Sequence, residues 1–134
     1  MPLLTRFNPS HLHDPRPNGN SVAAIVPGGA RTALVSGLGA HDERNELPDT
    51  FTEQVKAAYA SLATVLEALD ATPQSVARLT TYVVDHDVTK LPALTEAVLT
   101  MFGDTPPAQT LVPVPALAVP GMMFEVEATV VLDD

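Results

Sequence analysis

Hydrophobic positions recur with two different periods along this chain, and the two periods predict where helices and strands lie. Apolar residues at intervals of three and four predict two helices, whereas β-branched or alternating runs predict strands. The predicted helices cover residues 51–70 and 89–102. The predicted strands cover residues 21–26, 32–35, 76–84, 108–113 and 122–132. The predicted element order is therefore ββαβαββ.

Short polar and glycine-rich segments indicate where these elements begin and end. Pro27-Gly28-Gly29 predicts a turn that joins the first two strands into a hairpin. Residues 50–53 read Thr-Phe-Thr-Glu, a capping box in which the hydroxyl and the carboxylate each satisfy an unpaired N–H at the start of the first helix. Pro92 suits the first turn of the second helix, and Gly103 suits its C-terminal end.

These elements predict an α+β fold in which one mixed sheet carries both helices on one face. Two helices cannot cover both faces of a sheet in so small a protein, so we expect the other face to need a partner. A chain of 134 residues is long enough for one domain, and we take residues 1–134 as that domain. Residues 1–20 are rich in Pro, Asn and His, which predicts a loosely ordered or edge-laid N-terminal arm.

Composition narrows the classes of function. The chain has no cysteine, which excludes disulfides, thiolate metal sites and a cysteine nucleophile and fits a cytoplasmic protein. No apolar run approaches 18 residues and no signal-peptide pattern opens the chain, so we expect no membrane partner. The net charge of −9 disfavours nucleic-acid binding, because an acidic surface repels phosphates. No lysine or arginine follows Lys90, so the C-terminal third offers no cation to an anionic ligand.

The side-chain pattern by itself offers few candidates for chemistry. Glu125 and Glu127 alternate with apolar residues, so both carboxylates face the same side of a strand, which is either solvent or a cleft. Tyr59 and Tyr82 fall on apolar patterns and are expected to pack in the core. The histidines near the N-terminus lie in a Pro-rich arm, where exposure is the usual state, so no metal site is expected.

Two motifs in the last third resemble the signature of the Rid (YjgF-type) family of small imine and enamine deaminases. That signature usually reads Pro-Ala-Arg-(Ser/Thr)-x-Val, followed by a strand with Glu-(Ile/Val)-Glu-Ala. Here the two motifs read Pro107-Ala108-Gln109-Thr110-Leu111-Val112 and Glu125-Val126-Glu127-Ala128. Val35-Ser36-Gly37 adds to the resemblance, which extends from about residue 19 to 132. It implies a homotrimer with small-molecule clefts between neighbouring subunits, and no metal, flavin, nucleotide or pyridoxal cofactor.

The resemblance also implies roles for individual residues. Glu125 would position the attacking water, and Gln109 occupies the position of the family arginine that holds a substrate carboxylate. The remaining residues implied to bind substrate are Asn20, Ser36, Gly37, Thr95, Thr110 and Leu111. Asn20 stands near a common tyrosine position of the family, and Thr95 near a common asparagine position. A neutral amide at 109 indicates either a pocket for a neutral or differently shaped ligand or a degenerate site in which Gln109 merely caps a strand.

Three functions are compatible with this reading. The first is hydrolysis of reactive imines or enamines, with specificity altered by the loss of the arginine. The second is a pathway-specific enzyme for a larger, uncharged intermediate, whose apolar cleft would use residues such as Leu38, Leu111 and Met122-Met123. The third is a non-catalytic module that binds a small molecule or a protein. Ribonuclease activity, which has been claimed for relatives, is disfavoured by the acidic charge balance.

Overall fold

A computed structural model of the protein describes residues 4–41, 44 and 46–132. It contains six strands and two helices. Three strands come first, followed by a helix, a strand, a helix and two final strands. The strands are β1 (Thr5–Phe7), β2 (Ala23–Ile25), β3 (Arg31–Leu38), β4 (Val76–Val84), β5 (Ala108–Val114) and β6 (Phe124–Leu132). The helices are α1 (Phe51–Ala68) and α2 (Leu91–Phe102). Short 3₁₀ turns cover Arg16–Asn18, Pro73–Ser75 and Val88–Lys90.

Four strands form one mixed sheet in the order β3-β6-β4-β5. β6 pairs antiparallel with both β3 and β4, while β4 and β5 run parallel and are joined through α2. The last strand of the chain therefore lies inside the sheet, and β3 and β5 form its two edges. This arrangement confirms the predicted α+β class and the mixed sheet.

Both helices pack against one face of this sheet, as predicted. Apolar side chains alternate along β6, with Phe124, Val126 and Val130 fully buried against the helices. Helix α1 contributes residues such as Leu62, and α2 contributes residues such as Phe102, to the same core. The other side of the sheet, which we call the open face, carries the alternate residues of each strand.

Helix α1 begins at the predicted N-cap, Thr50, but the Glu53 carboxylate accepts from the Thr50 hydroxyl instead of from the predicted N–H. The Thr50 hydroxyl accepts a hydrogen bond from the Glu53 N–H at 3.2 Å and donates to the Glu53 carboxylate at 2.9 Å. Gln54, one residue later, is 1% exposed and ties two loops to the helix. Its amide nitrogen donates to the carbonyls of Pro48 and Gly121, both at 3.0 Å, and its amide oxygen accepts from the Met123 N–H at 2.9 Å.

The predicted hairpin between the first two strands is wrong. β2 pairs antiparallel with β1, a strand that the sequence pattern did not reveal, and β3 pairs with β6 instead. The glycine-rich segment carries the chain from the two-stranded sheet to the four-stranded one. A second, smaller cluster of Leu4, Ala77 and Val131 is buried where this N-terminal segment meets the open face. Residues 1–3 lie outside the described part of the chain.

Residues 16–21 run along the free edge of β5. Ser21 forms a parallel bridge to Ala108, and its hydroxyl donates to the Pro106 carbonyl at 2.6 Å. Gly19 adopts φ +94°, which favours glycine, and a Cβ there would lie only 3.1 Å from Val98 of α2. The end of the predicted arm is thus wedged between β5 and α2, where it closes one side of a pocket.

Candidate functional site

The predicted site residues fall into two separate clusters. The first, which we call the amide pocket, is a cavity of about 330 Å³ between β5, α2 and the segment 18–20. Its lining residues are Asn18, Asn20, Thr81, Leu91, Leu94, Thr95, Gln109 and Leu111. The second, which we call the glutamate patch, lies on the open face and consists of Gly37, Tyr82, Glu125 and Glu127.

Gln109 connects the amide pocket to the arm that covers it. It stands directly opposite Leu79 in the parallel register, so its side chain points to the helix-covered side of the sheet. The Gln109 amide nitrogen donates to the Gly19 carbonyl at 3.2 Å. On the other wall, the Thr95 hydroxyl donates to the Asn18 carbonyl at 3.5 Å. Two side chains that the sequence placed in the site therefore hold the backbone of residues 18–19.

The amide pocket is polar but carries no charge. Amides and hydroxyls supply its polar surface, and three leucines supply its apolar wall. None of the described residues that line it is ionisable. A carboxylate entering this cavity would therefore lose water without meeting a cation, which is unfavourable.

The glutamate patch is organised by the backbone of β3. A bulge between Val35 and Leu38 shifts the register with β6 and brings Gly37 under the Glu125 side chain. A Cβ at Gly37 would lie 2.5 Å from both Cδ and Oε1 of Glu125. Only glycine allows the carboxylate to rest against the strand in this way. Ser36 is the exposed residue next to it.

Tyr82 is part of this patch, which contradicts its predicted place in the core. It stands opposite Glu125 in the register of β4 and β6 and is only partly buried. Its hydroxyl donates a short hydrogen bond to Glu127. That bond is the main reason why the pKa of Tyr82 lies above its ordinary value, with partial burial and the charges of Glu127 and Glu125 adding to it. Tyr59, in contrast, is buried as predicted, and burial raises its pKa.

The two clusters cannot serve one small ligand within a single chain. Gln109 lies in β5 and Glu125 in β6, two strands away, which corresponds to about 10 Å across the sheet. Their side chains also point to opposite faces, since Gln109 aligns with the core residues Leu79 and Ala128 whereas Glu125 aligns with Tyr82. Each chain thus presents two separate clusters, one on each face of its sheet.

The predicted substrate-binding residues divide between these clusters, with one exception. Asn20, Thr95, Gln109 and Leu111 meet in the amide pocket, and Gly37 meets Glu125 in the glutamate patch beside Ser36. Thr110 belongs to neither, because it points to the open face and its hydroxyl accepts from the Arg78 guanidinium at 2.6 Å.

The proposed apolar cleft residues do not form one surface. Leu38 packs against the main core. Met122 and Met123 instead line a separate cavity of about 320 Å³ beside the Pro-rich loop between β5 and β6. Leu111 alone of these residues lines the amide pocket. The sequence analysis missed four further lining residues of that pocket, because only the folded chain brings the arm, β4 and α2 to β5: Asn18, Thr81, Leu91 and Leu94.

No group of three His, Cys, Asp or Glu side chains within residues 4–41, 44 and 46–132 is arranged to hold a metal ion. Neither helix in the described part of the chain is long and apolar enough to cross a bilayer.

The chain is similar to known proteins in sequence and in structure. The family model described as Endoribonuclease L-PSP matches residues 12–132. A Rid-family protein of unknown function from Yersinia pestis, YyfB, is 33% identical, with a TM-score of 0.92 over 97% of this chain and 99% of that one. A YjgF/YER057c/UK114-family protein from Mycobacterium tuberculosis is 24% identical, with a TM-score of 0.64 over 96% and 99% of the two chains.

A more distant structure shares the fold. RidA from an Antarctic Psychrobacter species is 22% identical, with a TM-score of 0.69 over 98% of this chain and 99% of that one. None of the curated proteins compared with the chain matches it.

Proposed function

Because this chain belongs to the YjgF/Rid family, we propose that it hydrolyses reactive imines, and enamines after their tautomerisation, to carbonyl compounds and ammonia. The observation that carries the proposal is the Glu125 carboxylate held over Gly37 on an otherwise accessible sheet face. A carboxylate fixed by the backbone on one side is suited to orient a water molecule on the other.

The catalytic cleft would form between two copies of the chain. One copy contributes its glutamate patch and the next contributes its amide pocket, so that a closed ring of three copies has three equal clefts. The open face supports this assembly, since Leu34 of β3 is 82% exposed there. A large apolar side chain on a sheet face is a common feature of a subunit interface.

The reaction needs only a base that later returns a proton. Glu125 accepts a proton from water while the water oxygen attacks the imine carbon, and it then gives this proton to the imine nitrogen, which yields a neutral carbinolamine. The regenerated Glu125 carboxylate takes the proton of the carbinolamine hydroxyl and delivers it to the amine nitrogen. The C–N bond breaks, the C=O bond forms and ammonia leaves. In this scheme Ser36 and Gly37 border the reacting atoms, and Gln109, Asn20, Thr95 and Leu111 hold the rest of the substrate.

A complementation experiment tests the shared cleft. Glu125→Gln disables the glutamate patch, and Thr95→Phe fills the amide pocket; each variant alone is expected to be inactive. When equal amounts are unfolded together and refolded, about one quarter of the clefts in randomly mixed trimers combine two intact half-sites. The mixture should therefore recover about one quarter of the wild-type rate.

The rate is measured on small imines that an amine or amino-acid oxidase generates in situ, with semicarbazide trapping the imine that remains. Circular dichroism and light scattering verify that both variants fold and assemble. A mixture of two well-assembled variants that stays inactive would refute the shared cleft. A wild-type protein that leaves every imine at its uncatalysed decay rate would refute hydrolysis and favour the binding-module function.

RNA cleavage is not the function that this chemistry favours. The chain carries a net charge of −9, and the glutamate patch adds two carboxylates where a phosphodiester would have to approach. We expect RNA to be left intact under conditions in which imines are hydrolysed.

A further inference from the structure

Two polar side chains of the amide pocket, Gln109 and Thr95, donate hydrogen bonds to the protein's own backbone. The Gln109 amide nitrogen donates to the Gly19 carbonyl at 3.2 Å, and this bond fixes the orientation of the amide. The reverse orientation would place the amide oxygen against a carbonyl oxygen, and two acceptors repel each other. Oε1 of Gln109 is left as an acceptor that no described residue satisfies.

Thr95 shows the same arrangement on the opposite wall. Its hydroxyl oxygen lies 3.5 Å from the Asn18 carbonyl oxygen, a long hydrogen bond, and its lone pairs are available to other partners. The two side chains that grip the arm thus offer acceptors to the cavity. A neighbouring glutamate patch, placed over the pocket as proposed above, would add the Glu125 carboxylate, which is also an acceptor.

From this distribution we infer that the amide pocket recognises a hydrogen-bond-donating head group, a primary amide or a comparable uncharged N–H group, rather than a carboxylate. A carboxylate has only acceptors, so it could bond to the amide N–H groups of the lining but would leave Oε1 of Gln109 unsatisfied and would meet no cation among the described lining residues. A primary amide has the same planar shape and brings two N–H groups to those acceptors.

The size and the apolar wall of the pocket set limits on the rest of the ligand. Leu91, Leu94 and Leu111 form that wall. A volume of about 330 Å³ is roughly twice that of an engineered cavity that holds benzene. The cavity therefore suits a small amide with a short aliphatic or single-ring substituent. This inference shares with the proposed function only the assumption that the amide pocket is a ligand-binding site. It does not require catalysis, because binding is measured without turnover.

Matched pairs of ligands test the inference on the wild-type protein. Pyruvamide and pyruvate, and benzamide and benzoate, differ only in the head group. Each is titrated while chemical-shift changes of the backbone amides are followed by NMR. We expect each amide to bind at least about fivefold more tightly than its carboxylate partner, a ratio that corresponds to one hydrogen bond. The shifts should map to the segment 18–20 and to β5.

Variants at one position make the test specific. Gln109→Met removes Oε1 and should weaken amide binding about fivefold, while Gln109→Arg should reverse the preference and favour the carboxylates. Gln74→Met changes an exposed glutamine outside the pocket and serves as the control. Equal or tighter binding of the carboxylates by wild type would overturn the inference, as would unchanged amide affinity in Gln109→Met.

Failure of this inference and failure of the proposed function give different results. Selective amide binding with no imine turnover would leave the inference intact and refute hydrolysis. Turnover of carboxylate-bearing imines at least as fast as neutral ones would support hydrolysis and refute the inference.

Discussion

Gln54 is the residue whose replacement should cost the most stability for the smallest change in shape. Gln54→Leu keeps most of the buried volume but removes three hydrogen bonds, to the Pro48 and Gly121 carbonyls and from the Met123 N–H. Each bond contributes about 1 kcal/mol net, so the free energy of unfolding should fall by about 3 kcal/mol. The loss would be larger if the three backbone groups stayed dry and unpaired.

Urea unfolding followed by circular dichroism measures this change at a fixed protein concentration, because assembly links stability to concentration. With a urea slope of about 1.5 kcal/mol/M, the transition midpoint should move down by about 2 M. Gln74→Leu is the matched control, since Gln74 is exposed, and it should change the free energy by less than about 0.5 kcal/mol. Equal midpoints for the two variants would refute the reasoning.

Replacing Gln54 by an ionisable residue should make the stability of the protein depend on pH. Gln54→Glu keeps the acceptor for Met123 but turns a carboxylate toward two carbonyl oxygens. The introduced carboxyl can donate only when protonated, so its pKa should be raised in the folded state. The variant should therefore lose stability as pH rises above the ordinary glutamate value of about 4.3. A stability difference from wild type that does not change with pH would contradict this placement of the amide.

Two further variants examine the glutamate patch. Gly37→Ala should displace the Glu125 carboxylate, which is the flexible end of a side chain, and lower the rate of imine hydrolysis by about 10²-fold with little change in melting temperature. Gly28→Ala is the control, because a Cβ at Gly28 meets nothing within 4 Å, and it should leave rate and melting temperature unchanged. Equal activity of the two variants would argue against the role of Glu125. Glu127→Gln should bring the pKa of Tyr82 down toward its ordinary value, which phenolate absorbance can follow in a chain with two tyrosines and no tryptophan. In wild type the raised pKa should cause a loss of stability as pH rises above the ordinary tyrosine value of about 10, and in the variant this loss should be absent. An unchanged titration in that variant would show that the Tyr82–Glu127 bond does not set the pKa.

Local signals in the sequence were sufficient for most of the fold. The N-cap at Thr50 and the β-branched run of β4 act over a few residues, and both elements lie where the pattern predicted them. Pairing between strands that are distant in the chain could not be predicted from such local signals. The turn at Pro27-Gly28-Gly29 predicted a local hairpin, but β2 found a partner near the N-terminus and β3 found one near the C-terminus.

The arrangement of the predicted site residues could not be read from the sequence. Glu125, Gln109 and Gly37 were predicted through a family resemblance, whereas their division between two clusters depends on sheet order. The bond between Gln109 and Gly19 joins residues 90 positions apart, and no periodicity encodes it. Tyr82 was misplaced because a tyrosine on a half-buried strand satisfies the apolar pattern equally well on either face.

The central position of β6 has a consequence for the order in which the chain can fold. β6 is synthesised after the other described strands, yet both β3 and β4 depend on it for their pairing. Until residues 124–132 have left the ribosome, β4 lacks one of its two neighbours and β3 has no partner in the sheet. Nascent chains would then expose unpaired strand edges until β6 has emerged, and a truncation within β6 would abolish the fold.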